Sequence, residues 1–123
     1  MRRWLFIAAV SGALAVLLAA FGEHLLAGRL SFGSLTTFAN ATRSQMYHAL
    51  AMGLAALAAQ GKAAPMARMS AMLFLAGILL FCGSLYGLVF TGIRVLGFIT
   101  PIGGLAFIAG WIALAVAALK WET

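Results

Sequence analysis

Most of the polar side chains that could do chemistry lie between residues 21 and 51, in a chain that is otherwise apolar. Glu23 and His24 are adjacent, and Tyr47 and His48 open the motif Y-H-A-L-A. A carboxylate and two imidazoles are groups that serve in acid–base catalysis and in metal binding. The spacing decides whether either chemistry is available.

Neither a catalytic set nor a metal site is complete. Neighbouring residues on a helix point about 100° apart, so Glu23 and His24 do not act on one atom, and no activated nucleophile accompanies them. A zinc site needs three or four ligands, and Cys82 is expected near mid-membrane in another helix, too deep to join them. Two histidines on neighbouring helices suit haem, but no haem-binding motif is present. We therefore expect no enzymatic activity, no metal and no cofactor.

The composition is typical of a membrane protein. Of the 123 residues, 65% are hydrophobic and 8% are charged, and Glu23 and Glu122 are the only acids. A water-soluble domain could not cover its surface with so few polar residues. The net charge of +6 comes from basic residues scattered singly between apolar runs, which favours topology signals and lipid headgroup contacts over nucleic-acid binding. Cys82 is the single cysteine, so an internal disulfide is excluded.

The apolar runs predict an all-α fold, a bundle of four transmembrane helices in one domain covering residues 1–123. The spans are expected at about residues 4–22, 41–60, 69–91 and 101–120, each near the roughly 20 residues that a bilayer requires. Ser34, Thr36 or Thr37 is expected to cap the second helix. Thr100 is expected to cap the last helix, with Pro101 at its first position.

The lysines and arginines predict the orientation. Five lie on the side of the chain termini and three on the other side, which places both termini in the cytoplasm. The first group is Arg2, Arg3, Lys62, Arg68 and Lys120, and the second is Arg29, Arg43 and Arg94. Trp4 and Trp121 are expected to anchor the bundle at the cytoplasmic interface.

The second span carries polar side chains into the outer leaflet, because a helix ending near Gln60 must begin near residues 40–43 to cross about 30 Å of hydrocarbon. A helical wheel puts Asn40, Arg43, Ser44, Tyr47, His48, Ala51, Ala55 and Ala58 on one face, and Met46, Leu50, Leu54 and Leu57 towards lipid. The candidate polar cluster is His24, Arg43, Tyr47, His48, Tyr86 and Arg94. Ionisable groups at this depth favour a function. The alternative is structural: a neutral His48 that hydrogen-bonds Tyr86, Ser84 or a backbone carbonyl and locks two helices together, and a His24 that extends to the interface.

Four ordered motifs resemble a known family. They are A-F-G-E-H-L at 20–25, Y-H-A-L-A at 47–51, F-C-G-S-L-Y at 81–86, and I-T-P-I-G-G at 99–104 followed by G-W at 110–111. Over about residues 8–115 they resemble the domain-of-unknown-function family 423, small bacterial four-span proteins similar to the eukaryotic transmembrane protein 256. The resemblance implies an uncharacterised inner-membrane protein and supplies no catalytic residues. His24, Tyr47 and His48 match the family pattern, whereas Glu23 stands where a small residue is usual and Cys82 where serine is more usual.

These features predict a non-enzymatic accessory or assembly subunit of a larger membrane complex in the bacterial inner membrane. Small four-span exporters depend on an acid near the middle of the first span, and this chain has none there. The alternative is a small oligomeric transporter or channel for anions or lipid, with an outer vestibule formed by Asn40, Arg43, Tyr47, His48 and Arg94. The expected partners are membrane lipids and either a larger membrane protein complex or further copies of the chain, without nucleic acid.

Overall fold

The computed structural model describes residues 1–121, and within this range the chain consists of helices and short connections. Helix α1 spans Arg2–Phe21, α2 spans Phe32–Ala58, α3 spans Ala64–Gly77, α4 spans Gly83–Thr91 and α5 spans Thr100–Leu119. No strand occurs in the described range, where Ala27 and Leu30 form one isolated bridge. The prediction of an all-α fold is confirmed. Glu122, the second acid, lies outside the described residues.

Two π-helical turns lengthen these helices. Gly22–Leu26 continues α1, and Ile78–Cys82 joins α3 to α4 without a break. Short 3-10 turns precede α3 at Gly61–Ala63 and α5 at Arg94–Phe98. π-turns inside helices are frequent at functional sites. Each of the two lies beside a groove that is described below.

Three of the resulting helices are long and apolar enough to cross a membrane, and they run from Arg2–Leu26, Gly61–Thr91 and Arg94–Leu119. Helix α2 does not belong to this group. Its 27 residues extend about 40 Å, which exceeds the roughly 30 Å of a hydrocarbon core. Its polar residues distinguish it from the other three, so its passage through the membrane remains a prediction.

Helix α2 begins earlier than its expected capping residues. Ser31 is the cap: its backbone is extended, and its side-chain oxygen accepts a hydrogen bond from the Ser34 N–H at 3.1 Å. The predicted caps are wrong, because Thr36 and Thr37 already lie inside the first turns and donate to the carbonyls of Phe32 and Gly33. The extra turns lengthen α2 towards the end of α1.

Helix α2 is the central element of the bundle. It packs against α1 on one side and against α3 and α4 on another, and α5 packs mainly on α3. The buried residues of α2 are Phe38, Ala41, Thr42, Gln45, Ala49, Ala51, Met52, Ala55 and Ala56. The most polar helix therefore lies between apolar ones, which shield its inward polar groups from lipid.

Glycines and phenylalanines join α3 to α5. A Cβ added to Gly110 would lie 2.8 Å from the ring of Phe74, and one added to Gly77 would collide with the ring of Phe107. Each helix thus offers a glycine as the recess for a phenylalanine of the other. Gly103 meets the backbone of the helix at Phe81. Such small residues allow close helix packing in membranes.

Candidate functional site

Gln45 is the polar centre of the bundle. Its side chain is 5% exposed, and its amide nitrogen donates to the backbone carbonyl of Ser11 in α1 at 2.9 Å. Its amide oxygen accepts a hydrogen bond from the Tyr86 hydroxyl in α4 at 2.6 Å. One side chain of α2 therefore connects three helices, and both ends of its buried amide are satisfied.

His48 lies between α2 and the pair formed by α3 and α5. Its Nδ1 is 2.7 Å from the Ser44 carbonyl oxygen, which assigns the proton to that nitrogen. The unprotonated Nε2 accepts a hydrogen bond from the Trp111 indole N–H at 3.3 Å. The ring stacks on Phe107 with centroids 3.5 Å apart and planes 7° apart, and Phe74 lies at 5.7 Å.

This geometry is that of a neutral histidine that joins helices. The sequence interpretation offered a backbone carbonyl as one partner, and the structure provides the carbonyl of Ser44 in the same helix. The partner across the helix interface is Trp111, not Tyr86 or Ser84. Because both ring nitrogens are engaged, His48 has no free lone pair to offer a metal ion in this arrangement.

Ser84 and Thr100 connect α4 to α5. Their hydroxyl oxygens are 2.5 Å apart, and the Ser84 hydroxyl also donates to the Phe81 carbonyl at 2.9 Å. Helix α5 has no side-chain cap, so the prediction that Thr100 caps it is wrong. The hydroxyl of Thr100 is directed to the neighbouring helix instead, where a buried serine requires a partner.

Three further members of the candidate cluster, Arg43, Tyr47 and Arg94, are exposed and do not share one groove. Tyr47 is 58% exposed, and Arg43 is exposed on the same side of α2 as Leu50 and Leu54. The helical wheel placed these two polar residues opposite those leucines, and that assignment is wrong. Packing turns Ala41, Gln45, Ala49 and Met52 inward, so Arg43 and Tyr47 must face outward. Arg94 is exposed in the 3-10 turn before α5.

A groove between α1 and α2, the α1–α2 groove, brings His24 and Arg43 together. It has a volume of about 760 Å³. Its polar lining consists of Glu23, His24, Thr42 and Arg43, and its apolar lining includes Ala15, Ala19, Ala20, Leu35, Phe38 and Met46. The groove is therefore amphipathic, with opposite charges among its polar residues and small side chains along α1.

A second groove, the α1–α3 groove, separates α1 from the long helix that contains α3 and α4. Its volume is about 890 Å³, and apolar side chains of both helices, such as Leu14, Leu18 and Leu79, form its walls. Arg2, Arg3, Ser11, Gln45 and Tyr86 also line it. The Ser11 side-chain oxygen is buried and has no hydrogen-bond partner among residues 1–121.

The described part of the chain contains no group of three or more histidine, cysteine or acidic side chains close enough to hold a metal ion. Cys82 is buried as a free thiol beside the α1–α3 groove. His24 and Glu23 are exposed at the end of the first helix. Gln45, His48 and Ser84, by contrast, are hydrogen-bonded to other helices.

Residues 18–104 match the family described as "Protein of unknown function (DUF423)". The chain belongs to the DUF423 family. Several relatives agree with this assignment. A UPF0382 membrane protein of Staphylococcus aureus is 42% identical over 98% of both chains, and the UPF0382 membrane protein YwdK of Bacillus subtilis is 41% identical over 98% of this chain and 99% of its own. A UPF0382 membrane protein of Haemophilus influenzae is 41% identical over 96% of this chain and 94% of its own. No solved structure matches the chain.

The family assignment confirms the resemblance read from the sequence motifs. Together with its apolar helices, it shows that this DUF423 member is a multi-pass membrane protein. The motifs also meet in space. His48 of the second motif contacts Trp111, and Ser84 of the third motif contacts Thr100. Trp111 and Thr100 both belong to the fourth motif. Residues far apart in the chain therefore build one set of contacts between helices.

Gln45 is the residue that sequence reasoning underestimated. It lies within the predicted second span, residues 41–60, but is not a member of the candidate polar cluster. The signal was present in its neighbours: Ala41 and Ala49, four residues before and after, are both buried and share its face. A polar residue between two small ones in a span marks a helix contact rather than a lipid-facing site.

Proposed function

We propose that this DUF423 protein is a non-enzymatic accessory or assembly subunit of a larger membrane complex in the bacterial inner membrane. It crosses the membrane four times, with both termini in the cytoplasm. The support for four spans is the length of α2 and its position among three apolar helices. A helix enclosed on several sides tolerates polar residues, such as Gln45, that a lipid-facing helix does not.

The observation that carries the accessory role is the α1–α3 groove. Apolar side chains of both helices form most of its lining, which also includes Arg2 and Arg3, and the buried hydroxyl of Ser11, one of its lining residues, has no partner among the described residues. A hydrocarbon chain cannot accept its hydrogen bond, and a buried hydroxyl without a partner is costly. A transmembrane helix of another protein supplies both apolar side chains and a polar acceptor. The groove therefore suits a partner helix better than a lipid tail.

The test is site-specific photo-crosslinking in native membranes. A photoreactive amino acid at Leu79, which is 66% exposed beside the groove, is expected to capture one partner protein reproducibly. The same amino acid at Ile108, 58% exposed on α5 and outside both grooves, is the matched control and should not capture that protein. Mass spectrometry then identifies the partner and its stoichiometry after gentle purification.

A Ser11→Ala variant adds a second criterion. Removing the hydroxyl should leave the purified protein as stable as before, because no described residue bonds to it, but should lower the amount of co-purified partner. Purification of the wild-type protein without any stoichiometric partner, or equal capture at Leu79 and Ile108, would contradict the accessory role.

The alternative, an anion or lipid transporter with an outer vestibule, has less support. Its proposed vestibule residues do not share one cavity, since Arg43 lines the α1–α2 groove while Tyr47 and Arg94 line neither groove. His48 is engaged by Ser44 and Trp111. An accessory role remains the function that the geometry favours.

A further inference from the structure

We propose that the α1–α2 groove binds a zwitterionic phospholipid that carries a primary amine, such as phosphatidylethanolamine. Its polar residues hold the headgroup, and its apolar part holds one acyl chain. This inference is independent of the accessory role, which rests on the other groove.

The charges of the groove are the first reason. Glu23 is the only acid among residues 1–121, and it lines the same groove as Arg43. Both side chains are exposed, and the described residues include no ion pair between them. Two opposite charges that share a groove without contacting each other are complementary to a ligand with two separated charges. A phosphate joined to an ammonium through two carbons is such a ligand.

The roles of the two residues follow from their chemistry. The planar guanidinium of Arg43 matches the geometry of a phosphate and can bind two of its oxygens at once. The carboxylate of Glu23 accepts hydrogen bonds, and a primary ammonium donates up to three of them. A quaternary choline group has no N–H to donate. Glu23 should therefore distinguish ethanolamine from choline, whereas Arg43 should not.

The shape of the groove supports an acyl chain beside this headgroup. From Glu23 to Ala15, eight residues of α1 cover about 12 Å along the helix axis. Half of a hydrocarbon core is about 15 Å thick. The small side chains of Ala15, Ala19 and Ala20 leave room along this path, while Phe38 and Met46 line it from α2. The length and the apolar lining match one chain within one leaflet.

The competing occupants differ from phosphatidylethanolamine either in net charge or in the ability to donate hydrogen bonds. An anionic lipid such as phosphatidylglycerol shares the phosphate but lacks the amine, so it would use Arg43 alone and meet the negative charge of Glu23. Phosphatidylcholine carries the same net charge as phosphatidylethanolamine but cannot donate to Glu23. Lipids with identical acyl chains and these three headgroups therefore separate the contributions of Arg43, Glu23 and the apolar lining.

The experiment is native mass spectrometry of the delipidated, purified protein after addition of dioleoyl lipids with ethanolamine, choline or glycerol headgroups. We expect the ethanolamine lipid to be retained about two- to fivefold more than the choline lipid, the range that exposed ion pairs provide. Glu23→Gln should abolish this preference while retaining both lipids. Arg43→Gln should reduce retention of the ethanolamine and choline lipids to a similar degree.

Two further variants make the result specific. Arg94→Gln removes an exposed arginine outside the groove and should change nothing. Ala19→Leu fills the groove and should lower retention of all three lipids, with the thermal unfolding temperature as the check that the protein stays folded. Equal retention of ethanolamine and choline lipids by the wild type, an unchanged preference in Glu23→Gln, or stronger retention of the glycerol lipid would overturn the proposal.

Discussion

His48 uses both ring nitrogens inside the bundle, one towards Ser44 and one towards Trp111. Its neighbour Tyr47, one residue earlier, is mostly exposed. Two adjacent ionisable residues therefore have different surroundings, and residue type alone does not reveal a role at membrane depth. Ionisable groups in a span favour a functional hypothesis. A neutral imidazole with two hydrogen-bond partners, however, joins helices without placing a charge in the membrane.

The contribution of this contact is measurable. Hydrogen bonds between membrane helices contribute about 0.6 kcal/mol on average and up to about 1.7 kcal/mol. We expect His48→Phe and Trp111→Phe to lower the free energy of unfolding each, and the double variant to lose less than the sum. Phenylalanine preserves an aromatic ring at both sites, so the cycle isolates the hydrogen bond from the stacking on Phe107.

Reversible unfolding in mixed detergent micelles provides the measurement. Trp121→Phe is the control, because Trp121 lies beyond the end of α5 and is 41% exposed. It should leave the free energy of unfolding within about 0.5 kcal/mol of the wild type. Strictly additive losses in the double variant would show that His48 and Trp111 do not interact.

At the scale of elements, the contact between α3 and α5 depends on glycines that accept phenylalanine rings. Gly110→Ala would place a Cβ 2.8 Å from the ring of Phe74, which is fully buried and cannot move freely. Overpacking of this kind typically costs about 1–3 kcal/mol. We expect a clear loss of thermal stability, measured by the unfolding temperature in detergent.

The same helix contains the matched control for this substitution. A Cβ on Gly104 would approach its nearest neighbour, the Phe81 ring, at 4.0 Å, which is ordinary contact. Gly104→Ala should therefore be neutral or slightly stabilising, since alanine favours helix by up to about 1 kcal/mol over glycine. Equal effects of the two substitutions would contradict the recess at Gly110.

The sequence predicted some elements better than others, and the reason is physical. The apolar segments that become α1, α3 with α4, and α5 show their environment directly, because hydropathy alone places them in lipid. Helix α2 has polar residues on both its inner and its outer sides, exemplified by Gln45 and Arg43. A helical wheel cannot tell these sides apart, because the neighbouring helices decide which one is inside. The π-turns likewise had no recognisable signal in the sequence.

The candidate site shows the same limit. A structural role for His48 was anticipated, but Trp111 is 63 residues away along the chain, and only the packing of α5 brings the two together. Glu23 and Arg43 line the same groove between α1 and α2, although the sequence interpretation left Glu23 out of the candidate cluster. The sequence identified single residues as candidates, whereas contacts between residues of different helices were visible only in the fold.

At the scale of the whole molecule, the proposed crossing of the membrane by α2 leads to a direct test. If α2 crosses, the chain has four spans, and Gln60 and Lys120 lie on the cytoplasmic side with the N-terminus. If only the three apolar helices cross, α2 stays on the outer side, and both positions face outward. Labelling of single cysteines at 60 and 120, in a Cys82→Ser background, distinguishes the two arrangements.

We expect both cysteines to be protected from an impermeant thiol reagent in intact cells and to react after the membrane is opened. A cysteine at Ser31, which precedes α2 and is exposed, should react in intact cells and serves as the control. The physical reason is burial: α2 is long enough to cross, and its inward polar groups such as Gln45 are paired with other helices instead of lipid. Reaction at 31, 60 and 120 in intact cells would establish three spans, and would place Arg43 and Glu23 in a different relation to the bilayer than the lipid proposal requires.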